Sequence, residues 1–262
     1  MIPITDIRAW GNTVSWQYDQ QIEQDLLISR SLVEIFQDPY LSEHLAFRGG
    51  TALHKLYLTS HARYSEDIDL VQKDPGPIKG VIDGLRSTLL FLGDPKVRQK
   101  ANNNTLIFRF DSESDPPVPM RLKIEINCRE HISVLGYKQR DISIDTRWFK
   151  GSALVQTYAL EEILGTKLRA LYQRKKGRDL YDLYKAITIL EPDQEEILSC
   201  YKSYMKFGSF KIPTRKQYIN NLTEKLSDLE FINDTKALLH AGESYDPEDA
   251  YELIHKGLLS KL

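Results

Sequence analysis

The sequence predicts an α+β fold, with a mixed α/β portion over residues 1–150 and an all-helical portion over residues 151–262. Three observations predict it. Asp67-Ile68-Asp69-Leu70 and the run Met120–Cys128 alternate polar and apolar residues with the period of a strand. A Gly49-Gly50-Thr51 turn stands before a short run of helix formers. Beyond Gly151 the apolar spacing becomes helical and stays so to the end of the chain.

Taken in order, residues 1–18 read as irregular and aromatic, with Trp10, Trp16 and Tyr18. Asp19 is placed to cap a helix over Gln20–Gln37, whose Ile22, Leu26, Val33 and Phe36 fall near one face, and Asp38-Pro39 stops it. Leu41–Phe47 leads into the glycine turn, and Ala52–Leu58 reads as a short helix. Asp67–Leu70 is a strand, Lys73–Gly80 a loop by its prolines and glycines, and Val81–Phe91 a helix ending at Gly93. Asn102–Asn104 marks a turn before a strand at Thr105–Phe110. Met120–Cys128 alternates most cleanly: Met120, Leu122, Ile124, Ile126 and Cys128 face one way, and Arg121, Lys123, Glu125 and Asn127 the other. Asp141–Phe149 is a further strand. Helices follow over Tyr158–Tyr172 and Asp179–Leu190, joined by the basic link Arg174–Arg178. Three or four more come after them, with breaks near Gly208, Pro213, Asp228 and Gly242. The last starts at Asp246-Pro247, a capping residue and a proline at the first helical position.

A chain of 262 residues, 41% apolar and 27% charged, has the length and composition of a globular protein with a real core. Its net charge of −2 provides no global basic field, so a nucleic-acid partner must be met by a local patch. Cys128 and Cys200 fit no metal spacing, which suits a reduced, cytoplasmic protein. The opening residues lack a charged segment followed by an apolar run, and no apolar window approaches the ~20 residues of a membrane span.

The chemistry concentrates between Phe47 and Leu70. Gly49 and Gly50 lack side chains, so their amides can lie against phosphate oxygens at the start of a helix, with the Thr51 hydroxyl as an added donor. On a strand, Asp67 and Asp69 project from one face, roughly 6–7 Å apart, which suits carboxylates sharing divalent cations. Like charges so placed repel unless a cation or strong donors offset them; the alternative is a pair of solvated carboxylates. Glu125 is the third carboxylate candidate, on the polar face of its strand. Its alternative is a salt bridge with Lys123 or Arg121. Arg63 and Ser65, just before the aspartates, are placed to bind phosphate or to shape the loop. Lys167 and Arg174 share a helical face and could both reach one triphosphate, against the alternative of a solvated cationic helix end. Asp179 and Asp182 lie on one side of the next helix, where Asp179 could instead cap that helix and Asp182 pair with Arg178. His44, His54, His61, His131, His240 and His255 show neither zinc spacing nor a partnered nucleophile. A phosphate cradle with paired metal carboxylates reads as nucleotidyl transfer.

The ordered set FRGGTALHKLY, ARYSEDIDL, LKIEIN and GTKLRALYQRKKGRDLYDLY resembles the AbiEii-type nucleotidyltransferase toxins of the DNA polymerase β-like superfamily, over roughly residues 20–190. The resemblance implies a mixed-sheet nucleotidyltransferase core with a helical C-terminal lobe. It assigns Gly49, Gly50 and Thr51 to the phosphate motif and Asp67 and Asp69 to the metal pair. Glu125 takes the next acidic motif, where many members carry Asp and Glu reaches one methylene further. Lys167 with Arg174 or Lys175 takes the basic motif, and Asp179 the acidic one after it. It further implies two Mg²⁺ ions, with Mn²⁺ as an alternative, an NTP substrate, a tRNA 3′ end or other RNA as acceptor, a cognate antitoxin, and arrest of translation. The expected mechanism is in-line attack of an acceptor hydroxyl on the α-phosphorus with loss of pyrophosphate. Three alternatives stay open: a protein or small-molecule acceptor, a glycosyltransferase using Asp-x-Asp on a nucleotide sugar, and a non-catalytic nucleotide- or antitoxin-binding module.

Overall fold

A computed structural model describes residues 2–59, 63–100, 102–240 and 242–262; His61 lies outside them. The chain divides into two compact units, one of residues 1–132 and 137–158, the other of residues 133–136 and 159–262.

The first unit is built on a mixed sheet. Its strands are β1 (Leu45–Arg48), β2 (Asp67–Gln72), β3 (Lys96–Lys100), β4 (Asn103–Asp111), β5 (Pro119–Asn127), β6 (Tyr137–Asp145) and β7 (Lys150–Tyr158). They lie in the order β3-β4-β5-β2-β1-β7-β6. β2 runs parallel to β5 and β1 parallel to β7, while the other neighbours are antiparallel. The central strand β2 buries Ile68, Leu70 and Val71, and β5 buries Leu122, Ile124 and Ile126, as their alternation predicts. The intervening Asp67, Asp69, Lys123 and Glu125 are only partly covered.

The helices of this unit are α1 (Ile4–Gly11), α2 (Asp19–Gln37), α3 (Pro39–His44), α4 (Gly49–Leu56) and α5 (Lys79–Thr88). Helix α2 buries Leu26, Ile28, Leu32, Val33 and Ile35 completely and packs on β7 and β6. Several sequence expectations are corrected here. Residues 4–11 form a helix rather than irregular chain, with Ile7 buried and the Asp6 carboxylate accepting from the Arg147 and Trp148 amides at 2.9 and 3.1 Å. Asp19 is the first residue of α2 and does not cap it; Tyr18 stands at the cap position with extended backbone. Asp38 ends α2 and also caps α3, accepting from the Leu41 amide at 2.9 Å with Pro39 in the first turn. Gly49 and Gly50 are the first residues of α4, so the turn and the helix start coincide.

Two strands escape the sequence pattern. β3 (KVRQK) is an exposed edge strand without apolar alternation, and β7 (KGSALVQTY) opens on small and polar residues. β6 begins at Tyr137, ahead of the expected Asp141, and returns through Thr146–Phe149 into β7. The change from sheet to helix therefore falls at Tyr158 rather than near residue 150.

The second unit contains α6 (Leu160–Gln173), α7 (Gly177–Leu190), α8 (Gln194–Phe207), α9 (Arg215–Leu226), α10 (Leu229–Asn233) and α11 (Pro247–Gly257). Tyr181, Tyr201, Tyr204, Tyr218 and Phe231 fill its core. The buried Glu162 accepts from the Val134 and Leu135 amides and from the Ser133 and Tyr204 hydroxyls at 2.7–3.0 Å, so its charge is met by four donors. Asp246 caps α11 with Pro247 following, as its sequence predicts.

Candidate active site

The site of the first unit grows from three adjacent central strands, β5, β2 and β1. The β2–β5 register sets Asp69 opposite Glu125 and Asp67 opposite Lys123. On the other side of β2, Arg48 at the end of β1 lies opposite Asp69. Side chains two apart on a strand share a face, so Asp67, Asp69, Lys123, Glu125 and Asn127 form one polar surface. Glu125 thus stands beside the aspartate pair, carried there by a strand more than fifty residues away in sequence.

Immediately after β1 the chain turns sharply into α4 at Gly49, whose φ of +80° is a conformation L side chains rarely adopt. A Cβ on Gly49 would fall 2.2 Å from Asp69 Oδ2 and 2.9 Å from Asp69 Cβ and Cγ. The glycine is therefore required twice, by its backbone angle and by the carboxylate lying against it. One turn in, the buried Thr51 hydroxyl lies 2.6 Å from Ser65 Oγ and donates to the Asp67 carbonyl at 2.5 Å. Both hydroxyls predicted for phosphate thus tie α4 to the start of β2. Arg63 is also buried, its guanidinium donating to the Tyr64 carbonyl at 2.9 Å and its amide to His54 Nδ1 at 3.2 Å. Of the two roles open to Arg63 and Ser65, these contacts are those of loop shaping.

Lys123 is the group that sequence reasoning saw only as a salt-bridge partner. Its ammonium lies 2.6 Å from Glu125 Oε1 and 3.1 Å from Asp67 Oδ2. Burial alone would lower its pKa, but the hydrogen bond to Glu125 and the charge of Asp67 outweigh this and hold it above the ordinary lysine value. Asn103 Nδ2 approaches the other Glu125 oxygen at 3.4 Å. Arg48 and Glu130 extend the polar surface, their ion pair closing at 2.8 Å. Nothing in the local sequence pairs Arg48 with Glu130, and only the fold brings them together. The carboxylate oxygens are hard donors of the kind Mg²⁺ prefers, and two of them already share a cation, the Lys123 ammonium. Among the described residues, no three His, Cys, Asp or Glu side chains converge on a metal position as they stand.

In the second unit, Lys167, Arg174, Asp179 and Asp182 come together as an ionic cluster. The buried Lys167 ammonium lies 3.1 Å from Asp179 Oδ1 and 2.7 Å from Asp182 Oδ2. Half-exposed Arg174 grips Asp179 through Nε and Nη2 at 2.6 and 2.8 Å. Burial would raise the Asp179 carboxyl, but Lys167 and the Arg174 fork outweigh it and hold its pKa below the usual value. Asp179 is therefore not a helix cap, since α7 starts at Gly177 and its third residue is turned inward. Nor does Arg178 pair with Asp182; its guanidinium reaches Asp234 at 3.2 Å.

The model of the family described as "Nucleotidyl transferase AbiEii toxin, Type IV TA system" matches residues 30–255. No curated protein matches the chain. Among solved structures, JHP933 from Helicobacter pylori is similar with a TM-score of 0.56 and 19% identity, covering 94% of this chain and 96% of that one. MenT4, a nucleotidyltransferase toxin from Mycobacterium tuberculosis H37Rv, is similar with a TM-score of 0.57 and 16% identity, covering 97% and 99%. At these identities the likeness establishes the fold, and the family match, spanning most of the chain, establishes the lineage. The chain belongs to the AbiEii nucleotidyltransferase toxin family of type IV toxin–antitoxin systems.

Proposed function

We propose that this toxin transfers a nucleoside monophosphate from an NTP to the 3′ hydroxyl of an RNA, tRNA first among the candidates, and so blocks translation in the cytoplasm. The observation that carries the reading is the β2–β5 register, which sets Glu125 beside Asp69, with Asp67 one pleat along and Gly49 against the Asp69 carboxylate. The family implies an antitoxin as partner. Among the described residues, no helix is long and apolar enough to cross a membrane.

Asp67, Asp69 and Glu125 would hold Mg²⁺, or Mn²⁺ in its place. When bound, the cation supplies charge to offset the triphosphate and to make the acceptor hydroxyl more acidic. The start of α4 offers Gly49 and Gly50 amides and the positive end of the helix to the phosphates. The acceptor oxygen forms its bond to the α-phosphorus as the α–β bridging bond breaks; pyrophosphate leaves and the hydroxyl proton passes to a carboxylate or to water. For binding, Lys123 must release Asp67 and Glu125, which its flexible four-carbon stem allows. The family resemblance proposes Lys167 and Arg174 as the basic motif, and within the second unit Asp179 holds both cations in place.

The test is incubation of the purified chain with total RNA, Mg²⁺ and each labelled NTP, resolved on a gel. Label in RNA is expected, lost in Asp67→Asn without loss of fold. Label confined to protein would overturn the RNA acceptor, and full activity of Asp67→Asn would overturn the metal assignment.

A further inference from the structure

Along β5, two residues before Lys123 on the same face, lies Arg121, and the β4–β5 register sets Arg109 directly opposite it. Two arginines side by side on neighbouring strands repel, and each would be expected to recruit a carboxylate. Neither does: both are exposed, and neither guanidinium has an ion-pair or hydrogen-bond partner among the described residues. They line a groove of about 770 Å³ whose wall also carries Glu66, Asp111 and Phe110. Those two acids lie in the same groove and still make no ion pair with the arginines. Gln24, 2% exposed, donates its amide to the Glu66 and Arg121 carbonyls at 3.0 Å each and so ties the chain before β2 to β5 at the groove wall.

Two free guanidinium groups side by side, on the strand face that also carries Lys123 and Glu125, describe a site for a ligand with successive phosphates. Its place distinguishes it from the phosphate cradle. Gly49 lies against Asp69, whereas the groove opens beyond Asp67, whose β5 partner Lys123 is the next same-face residue after Arg121. A nucleotide held by the start of α4 leaves the groove to the other reactant.

From this we propose that the Arg109–Arg121 groove binds the phosphodiester backbone of the acceptor, a single-stranded nucleic acid ending in a 3′ hydroxyl. The proposal rests on the transfer reading above and adds the route by which the acceptor reaches the carboxylates. Arg109 and Arg121 neutralise successive backbone phosphates and lead the strand toward the face that carries Asp67 and Glu125.

The experiment compares the full chain with its Arg109→Ala/Arg121→Ala and Arg109→Lys/Arg121→Lys variants, using anisotropy of a short end-labelled single-stranded RNA across a salt series. Mg²⁺-NTP binding is followed by calorimetry. Each phosphate contact on a single strand contributes about 0.7 to the slope of log K against log salt, so the alanine pair should lower the slope by about 1.4. Affinity at low salt should fall about tenfold or more, the lysine pair should keep the slope, and NTP binding should not change. The alanine pair should melt no lower than wild type, because a like-charge contact has been removed. Unchanged RNA affinity and slope overturn the proposal. So does parallel loss of NTP binding, which would place the arginines in the nucleotide cradle. Transfer to protein that survives the alanine pair also overturns it, since the acceptor would then lie elsewhere. Arginine-dependent RNA binding without transfer of any labelled nucleotide would refute the transfer reading and leave the groove standing; transfer to RNA with unchanged KM in the alanine pair would do the reverse.

Discussion

Gly49→Ala tests the tightest contact in the site. At a φ of +80° any residue with a Cβ pays roughly 1–2 kcal/mol in backbone strain. The added methyl would also fall 2.2 Å from Asp69 Oδ2, where ordinary contact begins more than an ångström further out. The Asp69 carboxylate must retreat by about that much, and misplacement of a reacting group by ~1 Å costs on the order of a hundredfold in rate. A second glycine separates the two effects. Gly93 has nearly the same φ, +82°, but nothing within 4 Å of its Cβ position. Gly93→Ala therefore carries the backbone strain alone. Thermal melting should show Gly93→Ala destabilised by about 1–2 kcal/mol, or ~2–8 °C for a chain of this size, and Gly49→Ala by at least as much. Labelled-NTP incorporation should fall about a hundredfold in Gly49→Ala and stay near wild type in Gly93→Ala. Equal activity in the two would refute the claim that the Asp69 position depends on the bare backbone at Gly49.

Lys167→Met leaves Asp179 and Asp182 buried without their shared ammonium, and should cost about 3–5 kcal/mol in denaturant unfolding; a loss under ~1 kcal/mol would mean the cluster does not hold α6 to α7. Lys123→Met removes the cation between Asp67 and Glu125, so the metal-free chain should lose about 1 kcal/mol and gain affinity for Mg²⁺ and Mn²⁺ in calorimetry. No gain in metal affinity would separate Lys123 from the cation position. Lys225 donates to the Leu171 and Tyr172 carbonyls, yet burial lowers its pKa to about 8. A native value below the unfolded one means the unfolded chain binds more protons between about pH 8 and 10.4, so stability contributed here rises with pH across that window. Lys225→Met should remove about 1–3 kcal/mol of that rise from the pH–stability curve, and an unchanged curve would refute the assignment.

How much of the site is legible in the sequence follows from the range of the interactions. The alternation of Asp67-Ile68-Asp69-Leu70 fixes a strand with both acids on one face, because each residue's side is set by its immediate neighbours. The same holds for Met120–Asn127, and for the cap and proline that start α11 at Asp246-Pro247. β3 and β7 are illegible because one is a polar edge strand and the other opens on small and polar residues; each is a strand because a neighbour pairs with it. The N-terminal helix is lost for a similar reason, since its Asp6 finds its amide partners at Arg147 and Trp148, far along the chain.

The sequence by itself determined the lineage and the α+β fold class, and it singled out the acidic, basic and glycine residues that the two units gather. Only the tertiary structure decided which of them meet. It set Glu125 opposite Asp69, placed Lys123 between two carboxylates, turned Thr51 and Ser65 toward each other, and closed Lys167 onto Asp179 and Asp182. Alternation and capping are settled within a few residues. Strand register and ion pairing join groups distant in the chain, and their geometry exists only once the sheet and the helices have packed.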